Sequence, residues 1–124
     1  MVDLGASGSD QPCTEGVSIS LKYYRADTEC FSEWSPSDLK KFSGTIAKIK
    51  QMSAHTLRFR SQLCSPHRGE PDAERFARPE GLSRDLSMFE IRVDRSNAAR
   101  IHGVFIGSVF HLVWLDRRHE VFPW

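Results

Sequence analysis

A chain of 124 residues is the length of one domain, enough for a single real core. Its 17 Lys and Arg against 16 Asp and Glu leave a net charge of +1, which excludes a basic arm or a polyanion-binding face built on bulk charge. Cys13, Cys30 and Cys64 are odd in number and irregularly spaced, so free thiols are expected rather than a disulfide framework. The longest apolar run, Ile101 to Leu115, is too short to cross a bilayer as a helix and contains two histidines. No basic-then-apolar pattern opens the chain, so no signal peptide is expected. These features lead us to expect a cytoplasmic protein without membrane contact.

Residues 1–16 are rich in Gly, Ser and Asp and hold few large apolar residues, so a flexible tail is expected ahead of a single domain over 17–124. Val17, Ile19, Leu21 and Tyr23 then alternate with Ser18, Ser20, Lys22 and Tyr24, the pattern of a half-buried strand. Phe31 and Trp34 sit in the following loop and are expected to tuck against the core. Ser35-Pro36-Ser37-Asp38 is a helix start, with Ser35 as cap, Pro36 at the first helical position and Asp38 facing the positive helix end. Leu39, Phe42, Ile46 and Ile49 form the apolar face of that helix. Lys40, Lys41, Lys48 and Lys50 surround it, read as a solvated face rather than a phosphate site. Ser53 can cap a second helix carrying Leu57 and Leu63.

Residues 64–87, with Pro66, Pro71, Pro79, Gly69 and Gly81, read as a long loop, with one helical turn expected near Asp72 to Ala77. Phe89, Ile91 and Val93 alternate as a strand. Gly107-Ser108 separates two apolar runs as a hairpin turn, because glycine takes positive φ without a Cβ clash. In that register Phe105 faces Phe110, Gly103 faces Leu112 and Ile101 faces Trp114, giving one apolar face with Trp114 under the helices. The other face carries Glu90, Arg92, Arg100, His102 and His111, with Val104, Ile106, Val109 and Val113 half-exposed. The expected fold is α+β, an antiparallel sheet of about four strands with one or two N-terminal helices packed on one face.

Three segments carry a resemblance: Leu86-Ser-Met-Phe-Glu-Ile-Arg-Val93, Ala99-Arg-Ile-His102 and Asp116-Arg-Arg-His-Glu-Val-Phe122. With the element order they resemble the RelE/ParE superfamily of bacterial toxins, the toxins of type II toxin–antitoxin pairs. The resemblance implies an endoribonuclease that cleaves mRNA, on or off the ribosome, and is neutralised by an antitoxin protein. It implies a functional arginine at Arg100 and a catalytic acid or base at His119.

Metal-independent RNA cleavage needs a base for the ribose 2′-hydroxyl, cations for the phosphorane charge and an acid for the leaving oxygen. Histidine and carboxylate suit the proton transfers, and arginine holds phosphate with two prongs. Arg100, His119, Arg92 and Glu90 are therefore the catalytic candidates. Arg117, Arg118, His102 and His111 are the RNA-binding candidates, with His102 and His111 expected as diagonal neighbours. Cys64-Ser-Pro-His67 has a ligand-like spacing, but two ligands do not make a zinc site, so neither metal nor cofactor is expected. Phe122-Pro-Trp124 is either an exposed anchor or part of the core. Phe122 stands where many ribonuclease members of that superfamily have tyrosine. Together with the near-zero net charge, this favours a second reading, a non-catalytic interaction module on the same fold, such as a gyrase-inhibiting member.

Overall fold

The computed structural model describes residues 16–67, 69–71, 73–93 and 98–122. The expected tail lies outside them except for Gly16, as do Cys13 and Trp124. Two helices, α1 (Pro36–Ile49) and α2 (Ala54–Phe59), pack on a five-stranded sheet. The strands are β1 (Ser18–Ser20), β2 (Cys64–Pro66), β3 (Phe89–Arg92), β4 (Arg100–Ile106) and β5 (Val109–Asp116), in the order β1-β5-β4-β3-β2. β1 runs parallel to β5 and the other pairs are antiparallel. The α+β class thus holds, but the sheet is mixed and one strand wider than expected.

Both helix starts follow from their caps. Ser35 Oγ accepts the Asp38 N–H at 3.1 Å, and Ser53 Oγ accepts the Thr56 N–H at 3.1 Å. The apolar stripe of α1 is narrower than its sequence implies, with Phe42, Thr45 and Ile49 buried and Leu39 and Ile46 partly in solvent. Thr45 earns its buried position through its hydroxyl, 2.9 Å from the Val93 carbonyl at the end of β3. α2 stops at Phe59 because the Arg60 and Ser61 N–H groups both turn back to the Thr56 carbonyl, which leaves Leu63 outside the helix.

The expected long strand at 17–24 is cut to three residues. After Ser20 the chain turns, with the Tyr24 N–H on the Leu21 carbonyl at 3.1 Å, and Leu21 is left 57% exposed. The supposed loop 64–87 holds structure of its own, β2 and a 3-10 turn at Glu74–Phe76, close to the turn expected there.

The β4–β5 hairpin turns at Gly107, whose φ is 62°, and Ile106–Val109, Phe105–Phe110 and Gly103–Leu112 pair as expected. Beyond Gly103 a bulge intervenes, so His102 pairs with Trp114, Ile101 with Leu115 and Arg100 with Asp116. Val113 is the extra residue, and its carbonyl accepts the Arg25 N–H at 2.9 Å. Glycine is required at position 103, because a Cβ there would stand 2.0 Å from the His111 carbonyl oxygen. The bulge moves Trp114 off the helix-covered face and seats Leu115 there instead.

A core therefore lies on each side of the sheet. Under the helices are Phe42, Ile49, Leu57, Phe89, Ile91, Ile101, Phe105, Phe110, Leu112 and Leu115. On the far side Met88, Val104, Val113 and Trp114 are covered by Phe76 and Leu82 of the 67–88 segment and by Val121. The apolar face expected there is closed at Val104 and Val113, which are fully buried, whereas Ile106 and Val109 beside the hairpin turn stay exposed and half-buried as expected.

Candidate active site

On the far side of the sheet, three strands bring ionisable residues to one end. Glu90 of β3 pairs with His102 of β4, Arg92 with Arg100, and Arg100 with Asp116 of β5, so alternation places these side chains on one face. His67 follows β2 directly, its N–H held by the Met88 carbonyl at 2.9 Å. His119 lies in the turn after β5.

Glu90 is the hub. Its Oε2 accepts from Arg100 Nε at 3.1 Å, while Oε1 stands 2.9 Å from His67 Nε2 and 3.5 Å from His119 Nε2. His67 Nε2 stands close to the carboxylate but is not aligned on it for a hydrogen bond. Glu90, Arg100, His102 and His119 are buried, whereas His67 keeps an exposed edge. The ring of Phe122 lies flat on His67, with centroids 3.8 Å apart and planes 9° apart.

Asp116 organises the second half of the cluster. Its carboxylate accepts from His102 Nε2 at 2.8 Å, from the Glu120 N–H at 2.6 Å and from the Val121 N–H at 3.0 Å. The chain thus wraps around that carboxylate, and the tight wrap puts His119 in the left-handed region at φ 60°, the one non-glycine residue so placed among those described. With Nε2–H donated to Asp116, the lone pair of His102 is on Nδ1, which is buried and without a hydrogen-bond partner.

Burial pushes the Glu90 carboxyl up, but His67, His102 and Arg100 outweigh it and bring it down to about 2. Burial drives His102 the other way, toward its neutral form, against the pull of Asp116. At neutral pH Arg100 is the permanent charge, and it is what keeps Glu90 ionised.

Of the residues singled out from sequence, Glu90, Arg100, His102 and His119 come together. Arg92 is half-buried on the same face, one rung beyond Glu90. His111 packs on Tyr23 with ring centroids 5.4 Å apart, and burial lowers its basicity. The bulge sets His102 against Trp114, so the expected His102–His111 diagonal is not formed. Arg117 donates its N–H to Glu29 at 2.9 Å and its guanidinium to the Glu33 carbonyl, while Arg118 is exposed. His67, named in sequence only as half of a two-ligand pair with Cys64, and Asp116, named only as the start of the terminal motif, join the cluster without having been site candidates. Cys64 and His67 part company, the thiol in the core under the helices and the imidazole on the far face.

Beside His67 a cleft of about 100 Å³ opens, lined also by Glu70, Arg78, Arg84, Asp85 and Met88. Arg78 is tied to Glu70 at 2.5 Å, whereas Arg84 is exposed. His67, Glu90 and His102 each offer one ligand atom, all within 4.8 Å of one another. Comparison with family models, with characterised proteins and with solved structures gives no match.

Proposed function

We propose that the chain is an endoribonuclease that cleaves mRNA by acid/base chemistry, as a toxin of the RelE/ParE kind. The observation that carries this reading is the convergence of His67, His119 and Arg100 on the Glu90 carboxylate at the edge of a cleft. His67, the member with an exposed edge, takes the proton of the ribose 2′-hydroxyl, and Glu90 steadies the imidazolium that forms. The 2′-oxygen attacks phosphorus and expels the 5′-oxygen, which receives its proton from His119. The products are a 2′,3′-cyclic phosphate and a 5′-hydroxyl. Arg100 lies buried behind Glu90, so its part is to hold that carboxylate ionised and in place. Arg84 at the cleft and exposed Arg118 are the cations this reading assigns to phosphate. The reading also implies an antitoxin protein as the partner that neutralises the enzyme.

Growth arrest on induction in a bacterial host, with 5′-end mapping of its mRNA, tests this directly. New 5′-hydroxyl ends in the wild type, absent with His67→Gln, are expected.

The second reading is a non-catalytic interaction module. It is favoured by a groove of about 490 Å³ between α1 and β1, lined by Val17, Ile19, Leu21, Phe31, Phe42 and Ile46. Arrest with intact mRNA would turn the case to it.

A further inference from the structure

We propose that His67, Glu90 and His102 bind a divalent transition-metal ion, zinc being the best match. Three features of the cluster argue for this beyond its composition. First, two imidazoles and one carboxylate are the donor set of three-ligand zinc sites that keep a fourth position open. Their ligand atoms already lie within 4.8 Å of one another.

Second, His102 is prepared as a ligand. Its Nε2–H is taken by Asp116 at 2.8 Å, and Asp116 is itself fixed by two backbone N–H groups. A carboxylate holding the far nitrogen of an imidazole is the outer-shell arrangement that orients metal-bound histidines and raises their donor strength. The nitrogen left over, Nδ1, is fully buried and has no hydrogen-bond partner. An unsatisfied buried acceptor is destabilising, and a metal bond would remove that cost.

Third, His67 Nε2 and Glu90 Oε1 are 2.9 Å apart without being aligned on each other. Two donors bound to one tetrahedral ion at about 2.0 Å each stand about 3.3 Å apart, both aimed at the ion. The observed pair is close to that separation and lacks the hydrogen-bond geometry that would explain it otherwise. Arg100, which opposes a cation, engages Oε2 and leaves Oε1 toward His67 and His119. Nitrogen-rich donors select zinc, cobalt or nickel over magnesium and calcium.

The binding itself does not depend on the RNA-cleaving reading. If that reading holds, an ion here takes up the Glu90 carboxylate that would steady the His67 imidazolium, so zinc inhibits cleavage; this consequence rests on it.

The test is equilibrium dialysis and titration calorimetry of the full chain with zinc chloride, with cobalt(II) absorption as the reporter of ligand type. One zinc per chain at micromolar affinity or better is expected, with a cobalt spectrum of nitrogen and oxygen ligands. His67→Ala should weaken binding at least tenfold, and Glu90→Gln likewise, while His55→Ala on the exposed face of α2 should not. His67 has an exposed edge, so its alanine variant should fold even if Glu90→Gln does not. Affinity unchanged in His67→Ala, a thiolate-to-cobalt band, or no binding at micromolar zinc would each overturn the site. Metal binding without RNA cleavage would retain the site and remove only its inhibitory role.

Discussion

At the scale of single residues, Glu90 is where stability and chemistry meet. Its carboxyl is held near 2 in the folded chain against about 4.3 in an unfolded one. The folded state therefore binds fewer protons, and the stabilisation is complete above about pH 4.5 and lost as the pH falls toward 2. His102 and Asp116 are also held below their ordinary values, so they add to the same acid loss, His102 beginning below about pH 6.5. Urea denaturation across pH 7 to 3 should show a steadily falling midpoint. Glu90→Gln should cost about 3–5 kcal/mol at neutral pH by stranding Arg100, and should flatten that acid limb. An equally steep limb in the variant would show that the carboxylate is not its source. Two thiols behave oppositely. Burial pushes Cys64 up to about 12, whereas hydrogen bonds from Ser32 lower Cys30. A thiol reagent at pH 8 should label Cys30 in the native chain and reach Cys64 only on unfolding, as peptide mass mapping would show. Finally, His119 sits at φ 60°, which asparagine tolerates better than other side chains. His119→Asn should keep the thermal midpoint within a few degrees and abolish proton donation.

At the scale of elements, the bulge between β4 and β5 is the feature on which the site depends. It pairs His102 with Trp114 and Arg100 with Asp116, and without it Asp116 would not reach His102. Gly103→Ala should therefore be more damaging than an ordinary added methyl, above the about 1–3 kcal/mol of simple overpacking, since backbone and not a side-chain tip is in the way. Trp114→Ala should cost about 3–5 kcal/mol despite lying on the unexpected face, because it is fully buried in the far core. Equilibrium denaturation of both variants checks these values. The same contrast explains what could be read in advance. Ser35, Ser53 and the Gly107 turn act on their immediate neighbours, so helix starts and hairpin were legible from local sequence. The face shared by Glu90 and Arg100 followed from alternation in short strands. The parallel pairing of β1 with β5 and the bulge at Val113 are fixed by partners tens of residues away, Arg25 among them, and leave no local mark. His67 joined the cluster only because β2 extends the sheet beyond β3, in a proline-rich stretch that reads as loop. Asp116 was visible within the terminal motif, but its role depends on the shifted register.

At the scale of the molecule, two cores flank one sheet, and the covering of the far side is what half-encloses the ionisable cluster. Net charge near zero means that RNA cannot be drawn in by bulk field, only by a few local cations. With Arg84 and Arg118 as the contacts, log affinity for single-stranded RNA should fall with log salt at a slope of about −1.4, far shallower than for a basic nuclease. Fluorescence anisotropy over a salt series reads this slope, and a value several times steeper would point to a different surface. The central claim is that the Glu90-centred cluster cleaves RNA with His67 as base. The most direct test is the cleavage rate of a defined mRNA across pH, with and without ribosomes, for the wild type and for folded His67→Gln. Expected are 5′-hydroxyl products from the wild type and a loss on the order of 10²–10⁴ in rate in the variant, with the base limb of the pH profile gone. Cleavage by His67→Gln at the wild-type rate, or none by the wild type in either setting, would contradict it.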